Sequence, residues 1–182
     1  MSTVKFIGCL HLGHKSIAQY RGFNDEFYHD EHLINQWNKS VGKRDLVYIL
    51  GDVTFESSKD YYKLDALNGR KKVVLGNHDL MSDVPELLKY VDGVSGAVDY
   101  KGYILTHVPI HVDEIHFYKA NLHCHIHHEN KLVNYKSWTH YKDKNSIKKT
   151  TKNKYWNCDA LLLNFVPKTI EELKSIYNPN NK

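Results

Sequence analysis

Lys72-Val73-Val74-Leu75-Gly76-Asn77-His78-Asp79 decides how this chain is read. A run of β-branched and aliphatic residues closed by a glycine predicts a buried strand, so Asn77 and His78 fall just beyond its C-terminal end. Strand C-termini are where α/β sheets present chemical groups. Alone, the tetrapeptide Gly76-Asn77-His78-Asp79 could be an ordinary turn carrying a structural histidine. The pattern recurs along the chain, however. Val4-Lys5-Phe6-Ile7-Gly8 leads into Cys9-Leu10-His11, and Asp45 to Leu50 leads into Gly51-Asp52. Tyr103-Ile104-Leu105-Thr106 leads into His107, and Ala120 to Cys124 leads into His125-Ile126-His127. Each short apolar run ends on a residue able to ligate a metal. Imidazole, carboxylate and amide oxygen together suit borderline-to-hard divalent ions.

The stretches between these runs predict helices. Phe27, Leu33, Ile34, Trp37 and Val41 fall mostly at three- and four-residue spacing, the stripe of an amphipathic helix laid on a sheet. Ser58 is the expected N-cap of a helix through Tyr61, Tyr62, Leu64 and Leu67, closed by Asn68-Gly69. Asp83-Val84-Pro85-Glu86 has capping-box spacing before a short helix through Leu87 and Leu88. Gly96 to Tyr100 and Tyr103 to Thr106 form a hairpin joined at Lys101-Gly102, and Pro109 stops its second strand. Tyr155 to Phe165 predicts a last strand or strand pair, Thr169-Ile170-Glu171-Glu172 caps a terminal helix, and Asn178 to Lys182 is expected to fray. The alternation is that of a layered α/β fold.

With 182 residues the chain is expected to form a single domain, residues 1–182, with enough apolar surface for one core. A net charge of +4 suits an anionic substrate and equally suits an ordinary soluble protein. No run approaches the roughly twenty apolar residues that span a bilayer, and Met1 to Lys5 leads into a strand, so no membrane association and a cytoplasmic location are expected. Three cysteines, two of them beside candidate ligands, argue for reduced thiols over a disulfide framework. There is no G-x-x-x-x-G-K-S/T phosphate loop and no G-x-G-x-x-G, which leaves a P-loop nucleotidase or a dinucleotide oxidoreductase without support.

The order Cys9-x-His11, Gly51-Asp52, Gly76-Asn77-His78-Asp79, Thr106-His107 and Cys124-His125-x-His127 resembles the calcineurin-like metallophosphoesterases, whose signature reads D-x-H, G-D, G-N-H-D/E, H, G-H-x-H. The resemblance spans about residues 4 to 165, with His11-Leu12-Gly13-His14 similar to small bacterial and phage members. It implies a two-sheet β-sandwich flanked by helices in α/β/β/α layers. It also implies two divalent ions, manganese, zinc or iron before nickel or magnesium, with one ion held by Cys9, His11, Asp52 and His127 and the other by Asp52, Asn77, His107 and His125. The implied reaction is hydrolysis of a phosphodiester or nucleotide, more in keeping with the sequence than a monoester, by water activated between the two metals.

Within that frame His78 is the expected catalytic group, a proton donor to the leaving oxygen, and Asp79 its companion, orienting a neighbouring imidazole. His14 either reaches the substrate or is a solvated loop histidine, and His111 is the runner-up to His107. Asp52 would bridge by giving one carboxylate oxygen to each ion. No arginine is required, although Arg21, Arg44 and Arg70 stand in loops. Two positions depart from the signature. Cys9 replaces an aspartate: it is either a soft thiolate ligand that tilts the first site toward zinc or ferrous iron, or a small buried thiol that binds nothing. In the second case the chain is a catalytically impaired, metal- or nucleotide-binding relative. Cys124 replaces a glycine and fills space unless the backbone there needs a positive φ. Trp138 to Lys154 holds six lysines from Lys142 onward against Asp143, either a solvated face or a surface for nucleic acid, and the oligomeric state is left open.

Overall fold

The computed structural model describes residues 2–55, 57–127 and 153–178. Two four-stranded sheets form its centre. The first is wholly parallel, with β1 (Val4–Ile7), β2 (Leu46–Ile49), β3 (Arg70–Val74) and β4 (Val94–Ser95) side by side in that order. The second runs β5 (Val98–Tyr100), β6 (Tyr103–Leu105), β7 (Asn121–His123), β8 (Tyr155–Asn157), with only the β5/β6 pair antiparallel. Lys101 and Gly102 join that pair with φ of 54° and 80°, the both-positive geometry of a tight hairpin turn.

The sheets are tied at β1. After β8 the chain turns back along its edge, where Gly8 donates to the Cys158 carbonyl at 2.9 Å and Phe6 to that of Lys168 at 2.8 Å. Phe6 stacks on Tyr48 and meets the edge of Tyr100, so aromatic rings from both sheets close the interior between them. Helices flank the pair: α1 (Lys15–Tyr20), α2 (Glu26–Ser40), α3 (Val84–Leu87) and α4 (Ile170–Tyr177). Leu33 and Trp37 of α2 and Leu173 and Tyr177 of α4 are fully or almost fully buried in the common core. This is the expected layered α/β fold.

Some local expectations are corrected. Phe27 is exposed, because the buried side of α2 carries His29 and Asp30 in its place, two polar residues that bond each other at 2.9 Å. The segment Ser58–Ala66 is a 3-10 helix capped by Ser57, whose hydroxyl accepts from Lys59. Asp83 makes no side-chain cap, since Met81–Asp83 is itself a 3-10 turn running straight into α3 and holds Asp83 in helical geometry. Tyr155 to Phe165 holds the expected last strand, β8, followed by turns with Asn164 and Phe165 at positive φ. At α4 the capping box of Thr169 and Glu172 forms as expected. Most of the lysine-rich segment and residues 179–182 of the tail lie outside the described residues. Lys154 donates to the carbonyls of Ile115 and Tyr118, so this lysine ties the fold together.

Candidate metal centre

Every candidate ligand sits two to four residues beyond the C-terminal end of a strand: Cys9 and His11 after β1, Asp52 after β2, Asn77 after β3, His107 after β6, His125 and His127 after β7. The parallel strands and the stacking of the sheets bring all five ends to one place. Two groups of donor atoms result, each with its atoms within 4.8 Å of one another: Cys9, His11, Asp52 and His127, and Asp52, His107 and His125. Asp52 belongs to both.

The backbone that carries these groups is unusual. Cys9, His11, Asp52 and His125 have φ of 51°, 52°, 52° and 66°, in the left-handed region that L-residues enter at a cost of about 1–3 kcal/mol each. Neighbouring loops hold them there. Cys9 donates to the Gly51 carbonyl at 2.9 Å and His11 to that of Asp52 at 3.0 Å, so the first two loops are laced backbone to backbone. Cys124 is not at positive φ; His125 is. The Cys124 thiol fills the space a Cβ on Gly8 would need, which makes Gly8 and Cys124 a matched pair.

Asp52 Oδ1 accepts from the His78 backbone N–H at 3.1 Å, whereas Oδ2 lies 3.3 Å from His107 Nε2 and 3.7 Å from His11 Nε2. The same oxygen faces both imidazoles, while the other accepts from the His78 amide. His107 contacts the Leu50 carbonyl through Nδ1 at 2.8 Å, and its Nε2 lies 3.0 Å from Asn77 Oδ1. With Nδ1 donating to that carbonyl, a neutral His107 turns a nitrogen lone pair toward an amide and a carboxylate oxygen. Three lone pairs converging there are tolerable only around a cation or a proton. Burial opposes charge on His107, but the Asp52 contact outweighs it and raises its pKa, while burial tends to raise the Asp52 carboxyl and His107 and its other partners bring it below the ordinary value.

His11 makes the complementary case. Only 2% of it is exposed, and neither ring nitrogen has a hydrogen-bond partner among the described residues. Burial holds it neutral, with a pKa pulled down to about 3. A buried imidazole with both nitrogens unmatched costs free energy unless something accepts its lone pair. These donors fit a divalent ion. Burial raises the Cys9 thiol, although the His125 backbone N–H donates to its sulfur at 3.2 Å and favours the thiolate.

Around the donors, His78 and His14 flank His11 with ring centroids 6.0 and 5.4 Å away, and Phe55 stacks on His14 at 4.1 Å and leans on His78 at 4.6 Å. Asp79 does something other than orient an imidazole. Its carboxylate accepts the backbone N–H groups of Asp52, Val53 and Gly76 at 2.8, 3.0 and 2.8 Å, so it binds the second loop to the third and holds Asp52. His111 stands apart from both groups, highly exposed, 3.6 Å from Asp113. Arg21 is not in an open loop position: it caps α1, is buried, and lies with Asp159 beneath the donors. The sequence reading missed Asp159 and the part played by Arg21. The only available signal was an acid in an otherwise apolar return, Asn157-Cys158-Asp159-Ala160, which is weak.

The model of the calcineurin-like phosphoesterases matches residues 2–174 of this chain. The gene 66 proteins of Mycobacterium phages D29 and L5 are 40% and 41% identical over 97 and 86 residues, 48% and 43% of this chain. Those matches cover 47% and 41% of the phage proteins, so the aligned part spans less than half of their length. An uncharacterized protein of Methanocaldococcus jannaschii is 30% identical over 142 residues, 74% of each chain. A solved protein of unknown function from Aquifex aeolicus superimposes with a TM-score of 0.67 at 20% identity, over 96% of this chain and 100% of its own, which speaks for the fold alone. The motifs at five strand ends and a family match that reaches from β1 into α4 have one explanation: the chain belongs to the calcineurin-like phosphoesterase family.

Proposed function

We propose that this chain is a metal-dependent phosphoesterase that hydrolyses a phosphodiester or nucleotide, with divalent manganese, zinc or iron held by Cys9, His11, Asp52 and His127 on one side and by Asp52, Asn77, His107 and His125 on the other. The single observation that carries this reading is the shared Asp52, whose Oδ2 faces an imidazole of each donor group. Divalent ions at such a pair supply Lewis acidity and a water made acidic enough to attack at neutral pH. The chain's own residues do the rest. His78, whose ring centroid stands 6.0 Å from that of His11, gives a proton from its ring to the oxygen that leaves phosphorus as the ester bond breaks, a contribution on the order of a hundredfold or more. His14, backed by Phe55, contacts a phosphate oxygen or the departing group. Asp79 keeps the Asp52 loop in register through its three backbone contacts. The exposed Phe55, stacked on His14 and leaning on His78, favours a diester with an apolar or base-bearing group over a small monoester.

The test is turnover of bis-p-nitrophenyl phosphate against p-nitrophenyl phosphate by metal-stripped protein given manganese, zinc or ferrous iron. The wild type is expected to cleave the diester faster, Asp52→Asn to be inert with every ion, and Cys9→Asp to change the preferred ion. Wild-type protein that stays inert while Cys9→Asp turns over would make this an impaired family member that binds without cleaving.

A further inference from the structure

Beneath the first donor group runs a line of buried polar side chains that belong to neither donor set. His127 Nδ1 lies 2.8 Å from Asp159 Oδ2, and Asp159 is 1% exposed. That same oxygen is 3.3 Å from Arg21 Nη2, which also donates to the Cys9 carbonyl at 2.7 Å. Arg21 Nη1 donates to the Leu10 carbonyl at 3.3 Å and lies 3.0 Å from His29 Nε2. His29 Nδ1 reaches Asp30 Oδ1 at 2.9 Å, and Asp30 Oδ2 takes Lys63 at 2.7 Å and the Gly13 N–H at 2.9 Å. The line thus starts at one candidate ligand, passes under the carbonyl of another, and ends on the loop that follows His11.

A buried arginine and aspartate recover their desolvation cost only if their remaining hydrogen-bonding groups are also used, and here both Nη atoms of Arg21 and both carboxylate oxygens of Asp159 have partners. Asp159 Oδ1 accepts from Leu161 N–H at 2.8 Å, and the Asp159 N–H donates to Asn157 Oδ1 at 3.0 Å, so its carboxylate has little freedom to turn. With the acceptor fixed, His127 is driven to the tautomer that carries its proton on Nδ1 and leaves the Nε2 lone pair for the donor group. The guanidinium meanwhile fixes the carbonyl of Cys9, the residue whose φ of 51° places its sulfur among the donors. The second group is built differently: its His107 donates to a neutral carbonyl, that of Leu50.

We propose that Asp159 and Arg21 are positioning residues for the first metal only, and that one guanidinium sets the placement of both Cys9 and His127. The assignment rests on the proposed metal-dependent reading. A carboxylate behind His127 makes its imidazole a stronger donor than a carbonyl would, so the first site is the tighter of the two and fills first.

The test is titration of metal-stripped full-length protein with zinc ions against a competing chelator, with folding checked by circular dichroism. Wild type is expected to take up two ions with separable affinities. Asp159→Asn is expected to weaken the tighter one about 10- to 100-fold and leave the weaker unchanged. Arg21→Lys, which keeps the charge but loses the fork, is expected to weaken the same ion. Folded Asp159→Asn protein that binds both ions as wild type does overturns the assignment. A second measurement needs no variant. In ¹⁵N spectra of zinc-loaded wild type, His127 is expected to be protonated at Nδ1 with the metal on Nε2; the reverse pattern also overturns it. Wild type that takes up no zinc fails differently, removing the metal-dependent reading itself.

Discussion

His123 shows how a single residue can couple this fold to pH without touching the donors. It is fully buried, its Nδ1 meets the Cys124 carbonyl at 3.0 Å, and its Nε2 has no partner among the described residues. Burial holds its pKa down to about 4 from 6.5. The unfolded chain therefore binds a proton in a range where the folded chain does not. The stability this represents is complete above about pH 6.5 and is lost as pH falls toward about 4, amounting to at most about 3 kcal/mol. His11 acts in the same direction, with its window reaching down to about 3. His123→Phe keeps a ring of similar size and removes the ionisation. In metal-stripped protein the fall in urea midpoint between pH 7 and pH 4.5 is expected to shrink by the equivalent of about 1–3 kcal/mol in the variant. An unchanged fall would show that His123 is protonated in the folded state or is not buried. That the candidate donors would converge was legible from the sequence, since each follows an apolar run. Asp79 was legible as important but not in its role, because one carboxylate taking three backbone N–H groups depends on two loops meeting, which spacing along one of them does not reveal.

At the scale of elements, the centre is made of loops pressed against one another. Gly51 has φ of 81°, and a Cβ there would stand 2.5 Å from His107 Nδ1 and 2.6 Å from the Gly76 nitrogen. Gly76 is equally confined, with the Asp52 nitrogen 2.6 Å from where its Cβ would be. Gly51→Ala therefore combines a left-handed backbone penalty with a collision against backbone that cannot give way, a loss on the order of 3 kcal/mol or more. It also pushes His107 off the Leu50 carbonyl, so zinc uptake at the second group is expected to fall together with the urea midpoint. A variant within about 0.5 kcal/mol of wild type, with both ions retained, would mean the loops are not in contact. The strands themselves could be read because their apolar runs are short and end in turn residues. The 3-10 helix could not, since Tyr61 and Leu64 are spaced alike for either helix type, and only its tertiary neighbours select the tighter one. Asp159 escaped notice for a related reason: it works from an isolated bridge to Gly8 just after β8, in a stretch whose apolar composition, Tyr155 to Phe165, suggests continuous strand.

For the molecule as a whole, the donors join what the chain builds separately. Cys9, His11, Asp52 and Asn77 follow strands of the parallel sheet, and His107, His125 and His127 follow strands of the mixed one. Each donor group draws on both sheets, so an ion in either position ties one sheet to the other across the top of the core. An ion that binds only the folded chain stabilises it by RT ln(1 + [L]/Kd), about 2.7 kcal/mol at a hundredfold excess over Kd for each site. For a chain of 182 residues each kcal/mol raises the melting temperature by roughly 2–4 °C. Zinc or manganese at such an excess is thus expected to raise it by about 5–10 °C per occupied site, and a chelator to reverse the gain. Asp52→Asn is the discriminating variant, because Asp52 is common to both groups. If the ions act where the donors converge, that one substitution removes most of the gain, whereas His125→Gln, in one group only, removes about half. Equal gains in all three proteins would place the bound metal somewhere other than the junction of the sheets. The pH dependence of the gain follows from the same contacts. His107 has its pKa raised by Asp52 against the opposing effect of burial, so protons compete with an ion there at higher pH than at an ordinary imidazole, and the stabilisation by metal is expected to weaken as pH falls, with proton release on binding read by calorimetry across buffers of different ionisation enthalpy.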